Sequence, residues 1–367
     1  MSKKVLIATG GTGGHIYPAI ALAQQLTSEI PGSDVLFVGG GLAQNKYFDH
    51  EAFNHRNIAC GNFLKKSPGQ LICSFSNIAR GIWQSCRIIR EFRPDVAVGF
   101  GSYYAFPSLI AAKLMSVPIV LHEANSIPGK VNRYLSSWAE VTAVHFPETI
   151  HLVKGHSIEV GMPLRTGFKH ASISKEDAIR HFGLDPERKT LLIFGGSQGA
   201  ITINRLVEGA IDLLNLADFQ VLHIAGDVNI LNELKHFYAS KNIKACVKPF
   251  ENRMDLAWQA SHSVICRAGA GTVAEQMEFE VPGILIPFPR AADNHQEHNA
   301  DFMCATVGGA VKLLEKDLTP ARLAACISDL WNDQEGVLTA MQQAMQHYKK
   351  RSRSRDLCAV IRDFLVE

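Results

Sequence analysis

Val5-Leu6-Ile7-Ala8-Thr9-Gly10-Gly11-Thr12-Gly13-Gly14-His15 begins as an apolar run, empties into a glycine-rich turn and leads into a segment of helical period. Thr190-Leu191-Leu192-Ile193-Phe194-Gly195-Gly196-Ser197-Gln198-Gly199-Ala200 repeats that grammar in the second half. Further short apolar runs at 35–38, 96–98, 119–121, 221–224, 263–266 and 284–286 alternate with amphipathic stretches. Strand-sized runs separated by helix-period segments predict parallel βαβ units. The expected fold class is α/β, with two Rossmann-like doubly wound domains facing a cleft. Turn residues at Gly161-Met162-Pro163 set the boundary, giving an N-terminal domain over 1–162 and a C-terminal domain over 163–344. A last helix at about 345–367 is expected to pack back on the first domain.

With 47% hydrophobic and 20% charged positions in 367 residues, the chain is globular, and disorder or fibre is excluded. Its 37 basic and 35 acidic residues leave a formal charge of +2, too little to draw in a polyanion, so no nucleic-acid partner is expected. Eight scattered cysteines never form Cys-x-x-Cys, and MSKKVLIATGG runs straight into a strand without a signal-peptide pattern. Both features predict a reduced, cytosolic setting. The uncharged stretch 96–112 contains Gly99, Gly101 and Pro107 and reads as strand, loop and helix rather than a membrane span.

A glycine turn at the end of a strand lets backbone N–H groups approach an anion, and the following helix N-terminus adds about half a positive charge. Diphosphate is the natural guest of such a bed. A third turn, Ala268-Gly269-Ala270-Gly271-Thr272, has Glu275 one helical turn further on, where a carboxylate can accept from ribose hydroxyls. A nicotinamide enzyme would carry an acid at the end of its second strand; here Val38 runs into Gly39-Gly40-Gly41, and no cofactor is expected. The chain has no Asp-x-Asp pair to seat a divalent cation, and His295 and His298 with Asp293 and Glu297 have no companion ligand cluster, so no metal is expected. His15 beside a diphosphate bed suggests acid or base chemistry, a buried structural histidine being the alternative.

Gly10 to His15 with Tyr17-Pro18, His122-Glu123-Ala124-Asn125, Asn132, Gly161 to Arg165, Gly195 to Ala200, Cys266-Arg267-Ala268-Gly269, Glu275, and Asp293-Asn294-His295-Gln296 with Asn299 occur in one order and spacing. Together they resemble the MurG family of peptidoglycan N-acetylglucosaminyltransferases, of the double-Rossmann (GT-B) type, over nearly the whole chain. The resemblance implies inverting transfer of N-acetylglucosamine from UDP-N-acetylglucosamine to the 4-hydroxyl of the muramyl sugar of undecaprenyl-pyrophosphoryl-N-acetylmuramyl-pentapeptide (lipid I), giving lipid II. It implies a donor set of Arg165, Ser197, Ala270, Gly271, Thr272, Glu275, Gln296 and Asn299, joined from the N-terminal side by Thr12, Gly13, Gly14 and Asn125. The implied acceptor set is Gly13, Gly14, His15, Asn125 and Asn132. Ala124, Met162 and Glu251 depart from the family pattern. A related glycolipid glycosyltransferase and a non-catalytic sugar-nucleotide binder are the alternative readings.

Inverting displacement needs one general base, and His15 leads because imidazole titrates near neutral pH. Glu123 is the rival, as base or as a buried partner that orients His122. A polyprenyl acceptor implies a peripheral enzyme on the cytoplasmic face of the inner membrane. The candidate patch is Ile72, Phe75, Ile82 and Trp83, at helical spacing near Lys65, Lys66, Arg80, Arg87 and Arg90. The opposite reading makes the same stripe a core face.

Overall fold

The computed structural model describes residues 3–61, 68–165, 167–168, 173–196, 199–214, 219–331 and 336–365. Seven strands form the first sheet: β1 (Lys4–Ala8), β2 (Asp34–Gly39), β3 (His55–Asn57), β4 (Val96–Gly99), β5 (Ile119–Glu123), β6 (Val141–Val144) and β7 (Ser157–Glu159). They pair in parallel in the order β3-β2-β1-β4-β5-β6-β7, with Val5 opposite Val35 on one side and Val96 on the other. Along β1 the side chains alternate between two cores. Val5 and Ile7 pack with Ile16, Leu22 and Leu26 of helix Gly13–Glu29, whereas Leu6 and Ala8 pack with Ile89 and Leu109 from helices Pro68–Phe92 and Phe106–Leu114. Apolar residues on both faces follow from helices covering both sides of a parallel sheet.

The second sheet holds β8 (Lys189–Phe194), β9 (Phe219–Ile224), β10 (Ala245–Lys248), β11 (Ser263–Cys266), β12 (Gly283–Leu285) and β13 (Ala310–Lys312). Its order, β10-β9-β8-β11-β12-β13, is again wholly parallel. Each sheet reverses its strand order once, beside β1 and beside β8, and open α/β sheets bind ligands at such switch points. The first two glycine turns noted in the sequence leave from those strands, and the third leaves β11.

Two compact units result, Met1–Thr166 with Arg353–Glu367, and Gly167–Ser352. The divisions therefore fall at 166/167 and 352/353, against the expected 162/163 and 344/345. Residues past Gly161 stay with the first unit because the Arg165 guanidinium lies 4.5 Å over the Tyr17 ring. At the other end, helix Val337–Arg351 belongs to the second unit. There Lys349 pairs with Glu280 at 3.2 Å, Tyr348 meets Phe302 edge-on and Met345 is buried. Arg355 returns to the first unit by pairing with Val160, and helix Leu357–Arg362 buries Leu357, Val360 and Ile361 in the Val5 and Ile7 core.

Phe37 of β2 has no exposed surface and touches Phe48 and Phe53 with ring centroids 5.0 and 5.3 Å away. Phe37→Ala is expected to destabilise the first unit by about 3–5 kcal/mol through lost burial and a cavity, read as a lower urea midpoint for that unit.

Candidate active site

In the first unit, the turn after β1 delivers Thr12 as N-cap of a 17-residue helix whose first residues are Gly13 and Gly14. No side chain caps this end, and small residues there leave the amides open to an anion. His15 follows half-buried, its Nδ1 2.8 Å from the Phe100 carbonyl oxygen at the end of β4. A carbonyl only accepts, so in the neutral ring Nδ1 carries the proton and Nε2 is the basic nitrogen. A β-carbon on Gly101 (φ 73°) would stand 3.3 Å from Asn132 Nδ2 and 3.5 Å from His15 Cε1, so the loop after β4 passes between these two side chains.

Glu123 ends β5, is buried, and is surrounded by donors. Its Oε1 accepts from the Asn125 backbone N–H at 2.9 Å, and its Oε2 accepts from Gly129 N–H and Asn132 Nδ2, each at 2.9 Å. Asn132 Nδ2 also donates to the His122 carbonyl at 2.9 Å. Glu123 thus organises Asn125, Asn132 and the start of helix Lys130–Leu135, a different set of partners from the His122 ring expected from sequence. His122 lies behind this network, fully buried, and burial together with nearby His145 and His15 pushes its imidazole down to about 3. Burial likewise pushes His145 down to about 4. Thr12, Gly13, Gly14, His15, Asn125, Asn132 and Arg165 all belong to the first unit, Arg165 contrary to its expected place in the C-terminal domain.

In the second unit, Gly269 is the N-cap of helix Ala270–Phe279, so Ala270, Gly271 and Thr272 form its first turn. Glu275 lies one turn on, and its Oε2 accepts from the indole N–H of Trp258 at 2.8 Å. Gln296 is oriented through its Oε1, which accepts from Phe288 N–H at 2.9 Å and so directs the amide NH2 elsewhere. Asn299 is buried and donates to the Ala268 carbonyl at 3.1 Å, which fixes the turn from behind. Arg267, also buried, pairs with Glu315 at 2.5 Å and donates to the Ile286 and Pro287 carbonyls, bracing the segment that carries Phe288. Glu251 accepts from Lys248 and from Arg253 N–H, so its departure from the family pattern is neutralised locally. Ser197 lies outside the described residues.

Helix Pro68–Phe92 resolves the two readings of its apolar stripe by having two stripes. Ser74, Ile78, Gly81, Ser85 and Ile89 face inward, while Ile72, Phe75 and Trp83 are 72%, 62% and 64% exposed. Ile82 is a correction to the expected patch, because it is half-buried and packs against the core. Leu114 and Tyr134 add exposed apolar surface on the same unit. Lys65 and Lys66 lie outside the described residues. Among the described residues no helix is long and apolar enough to cross a membrane.

Residues 5–144 match the Glycosyltransferase family 28 N-terminal domain and residues 190–357 its C-terminal domain. A UDP-N-acetylglucosamine–N-acetylmuramyl-(pentapeptide) pyrophosphoryl-undecaprenol N-acetylglucosamine transferase of Protochlamydia amoebophila is 48% identical over 99% of the chain and 96% of its own length. The Bacillus subtilis protein of that name is 35% identical over 87% of the chain and 88% of its own length. The chain belongs to the MurG family. The crystal structure of Acinetobacter baumannii MurG superposes with a TM-score of 0.77 at 27% identity, covering 99% of both chains. A UDP-glucose:anthocyanidin 3-O-glucosyltransferase shares the fold alone, at TM-score 0.70 and 13% identity. As a MurG-family member the chain is a family 28 glycosyltransferase with two parallel α/β units.

Sequence reasoning missed Trp258 and gave Arg267 no role. Trp258 has no motif signal, since it reaches a partner on another helix, and although Arg267 stands in the quoted Cys266-Arg267-Ala268-Gly269 run, its action on backbone carbonyls is not encoded there.

His122 and His145 each contribute to a pH dependence of stability. Folded values near 3 and 4 lie below the unfolded value of about 6.5, so between these limits only the unfolded chain binds the protons. Stability is then full above about pH 6.5 and falls as pH drops towards about 4. His122→Gln is expected to flatten that slope by up to about 1.4 kcal/mol per pH unit, measured as denaturant midpoint against pH. An unchanged slope would mean that His122 titrates normally.

Proposed function

We propose that this MurG-family chain transfers N-acetylglucosamine from UDP-N-acetylglucosamine to the 4-hydroxyl of the muramyl sugar in undecaprenyl-pyrophosphoryl-N-acetylmuramyl-pentapeptide, with inversion. The observation that carries the reading is 48% identity, across 99% of the chain, to a relative named for that transfer. The glycine-led helix N-termini of both units support it, because donor and acceptor each bring a diphosphate.

In this reading the second unit holds the donor. Amides of Ala270, Gly271 and Thr272 and the helix dipole take the charge that develops on the departing UDP. Glu275 accepts from the ribose, the Gln296 amide donates to the sugar, and Asn299 steadies the turn. The first unit holds the acceptor, with its diphosphate on Gly13 and Gly14. The 4-hydroxyl oxygen forms its bond to the anomeric carbon as the bond to UDP breaks. UDP leaves with the electron pair, and the hydroxyl proton passes to Nε2 of His15, the nitrogen left basic by the Phe100 contact. Glu123 is a positioning group, since accepting a proton would disrupt its bonds to Asn125, Gly129 and Asn132.

A radiolabelled transfer assay with and without the lipid-linked acceptor tests the activity, and absence of acceptor-dependent product would overturn it. His15→Ala should lower turnover by about two to four decades, the usual worth of a general base, with UDP affinity near wild type. Turnover within a few fold of wild type would remove His15 as base and return Glu123→Gln to the bench.

We further propose that Ile72, Phe75 and Trp83, with the exposed Arg80, Arg87 and Arg90, dock the chain on the cytoplasmic face of an anionic membrane. Because the two positions are exposed, Ile72→Glu with Phe75→Glu should leave the melting temperature nearly unchanged and abolish co-sedimentation with anionic liposomes. Retained co-sedimentation would sink the docking face.

A further inference from the structure

Trp258 lies in the last turn of helix Met254–Gln259 with no exposed surface, its ring meeting Phe194 edge-on at 5.4 Å and 88°. Phe194 is the final residue of β8, the strand that empties into the second glycine turn. Indole offers a single donor and no acceptor, and here that donor is spent on Glu275 Oε2 at 2.8 Å. A charge-assisted bond of this kind fixes the plane of the carboxylate as well as its place. Ordering a long, half-buried glutamate at the moment of binding costs entropy, and a bond already made in the free protein removes part of that cost. The indole itself is locked by Phe194 and by the core around it.

We propose that Trp258 is a positioning residue for donor recognition: it holds Glu275 in the orientation that accepts from a ribose hydroxyl, so the preference for ribose over deoxyribose in the nucleoside diphosphate depends on a side chain buried behind the site. This rests on the reading of Glu275 as the ribose acceptor. Trp258 itself is out of the ligand's reach and acts only through Glu275.

Calorimetry with UDP, 2′-deoxy-UDP and 3′-deoxy-UDP on wild type, Trp258→Phe and Glu275→Ala tests it. Wild type should discriminate against the analogue that lacks the accepted hydroxyl. Trp258→Phe, which keeps an apolar ring and removes the donor, is expected to weaken UDP by about three- to ten-fold, a partial loss of a hydrogen bond to a charged group. The same variant should bind that analogue almost as wild type does. A uniform loss for all three ligands would mean general damage to the core and would overturn the proposal. An affected Glu275→Ala beside an unaffected Trp258→Phe overturns the proposal alone, whereas unchanged UDP affinity in Glu275→Ala overturns the ribose reading and the proposal with it.

Should Trp258→Phe fail to fold, the wild-type chain labelled with 15N-tryptophan supplies a second readout, with the Trp258 indole signal identified by its shift in Glu275→Gln. Saturating UDP is expected to move that signal, and the discriminated analogue to move it less. No movement with UDP, or equal movement with all three ligands, overturns the proposal.

Discussion

A β-carbon on Gly39 would stand 1.7 Å from the Thr9 carbonyl oxygen, and one on Gly226 would stand 2.2 Å from the Gly199 α-carbon. At the carboxyl end of each sheet, two chain segments therefore approach more closely than any side chain permits. That approach sets the exit of β1 into helix Gly13–Glu29 and the exit of β8 towards helix Ile201–Ile211. Asn204 on the latter helix is tied to Ala225 by a 3.1 Å bond next to the contact. A larger residue at either point would displace the turn from the strand that aims it, and the helix N-terminus would lose its direction before any ligand contact changed.

The two units use the resulting helix ends differently. In the first, the end carries an imidazole whose tautomer is set by a backbone carbonyl two strands of the sequence away, and a buried carboxylate gathers the neighbouring asparagines. In the second, the end carries a carboxylate held by a buried indole, and the surrounding polar groups brace carbonyls of the strand ends. In the proposed mechanism, proton transfer and diphosphate stabilisation use the same backbone device, with a neutral imidazole beside one helix end and a carboxylate one turn into the other. Neither device needs a long flexible cation, which is consistent with the weak net charge of the chain.

The central strands were legible because residues such as Val5 to Ala8 and Leu191 to Phe194 are buried on both faces and read as unbroken apolar runs. Edge strands were not: His55–Asn57 of β3 has one neighbour and an exposed arginine and asparagine, so its sequence carries no strand signal. Site residues within a glycine motif were legible for the same local reason, since turn, N-cap and first helical turn are contiguous in sequence. The partners that orient them were not. Trp258 and Glu275 are 17 residues apart on separate helices, and the Glu123 donors come from three different points of one loop and the helix it starts. No periodicity encodes contacts of that kind.

Helix Pro68–Phe92 carries the argument to the surface. Its inward face uses small residues: a β-carbon on Gly81 would lie 2.0 Å from the Ala59 carbonyl oxygen, and Ser85 meets Ser108 of the neighbouring helix at 3.4 Å. Gly81 and Ser85 allow that close approach while Ile78 and Ile89 fill the rest of the buried face, and Ile72, Phe75 and Trp83 lie outside. Large apolar residues thus occupy both faces, where a surface helix usually keeps them on its core face, which is why spacing alone admitted both readings and drew in Ile82. Each large apolar side chain left in water forgoes roughly 1.5–3 kcal/mol of burial. Three of them on one exposed face, flanked by arginines, form the surface on which the membrane-docking proposal rests.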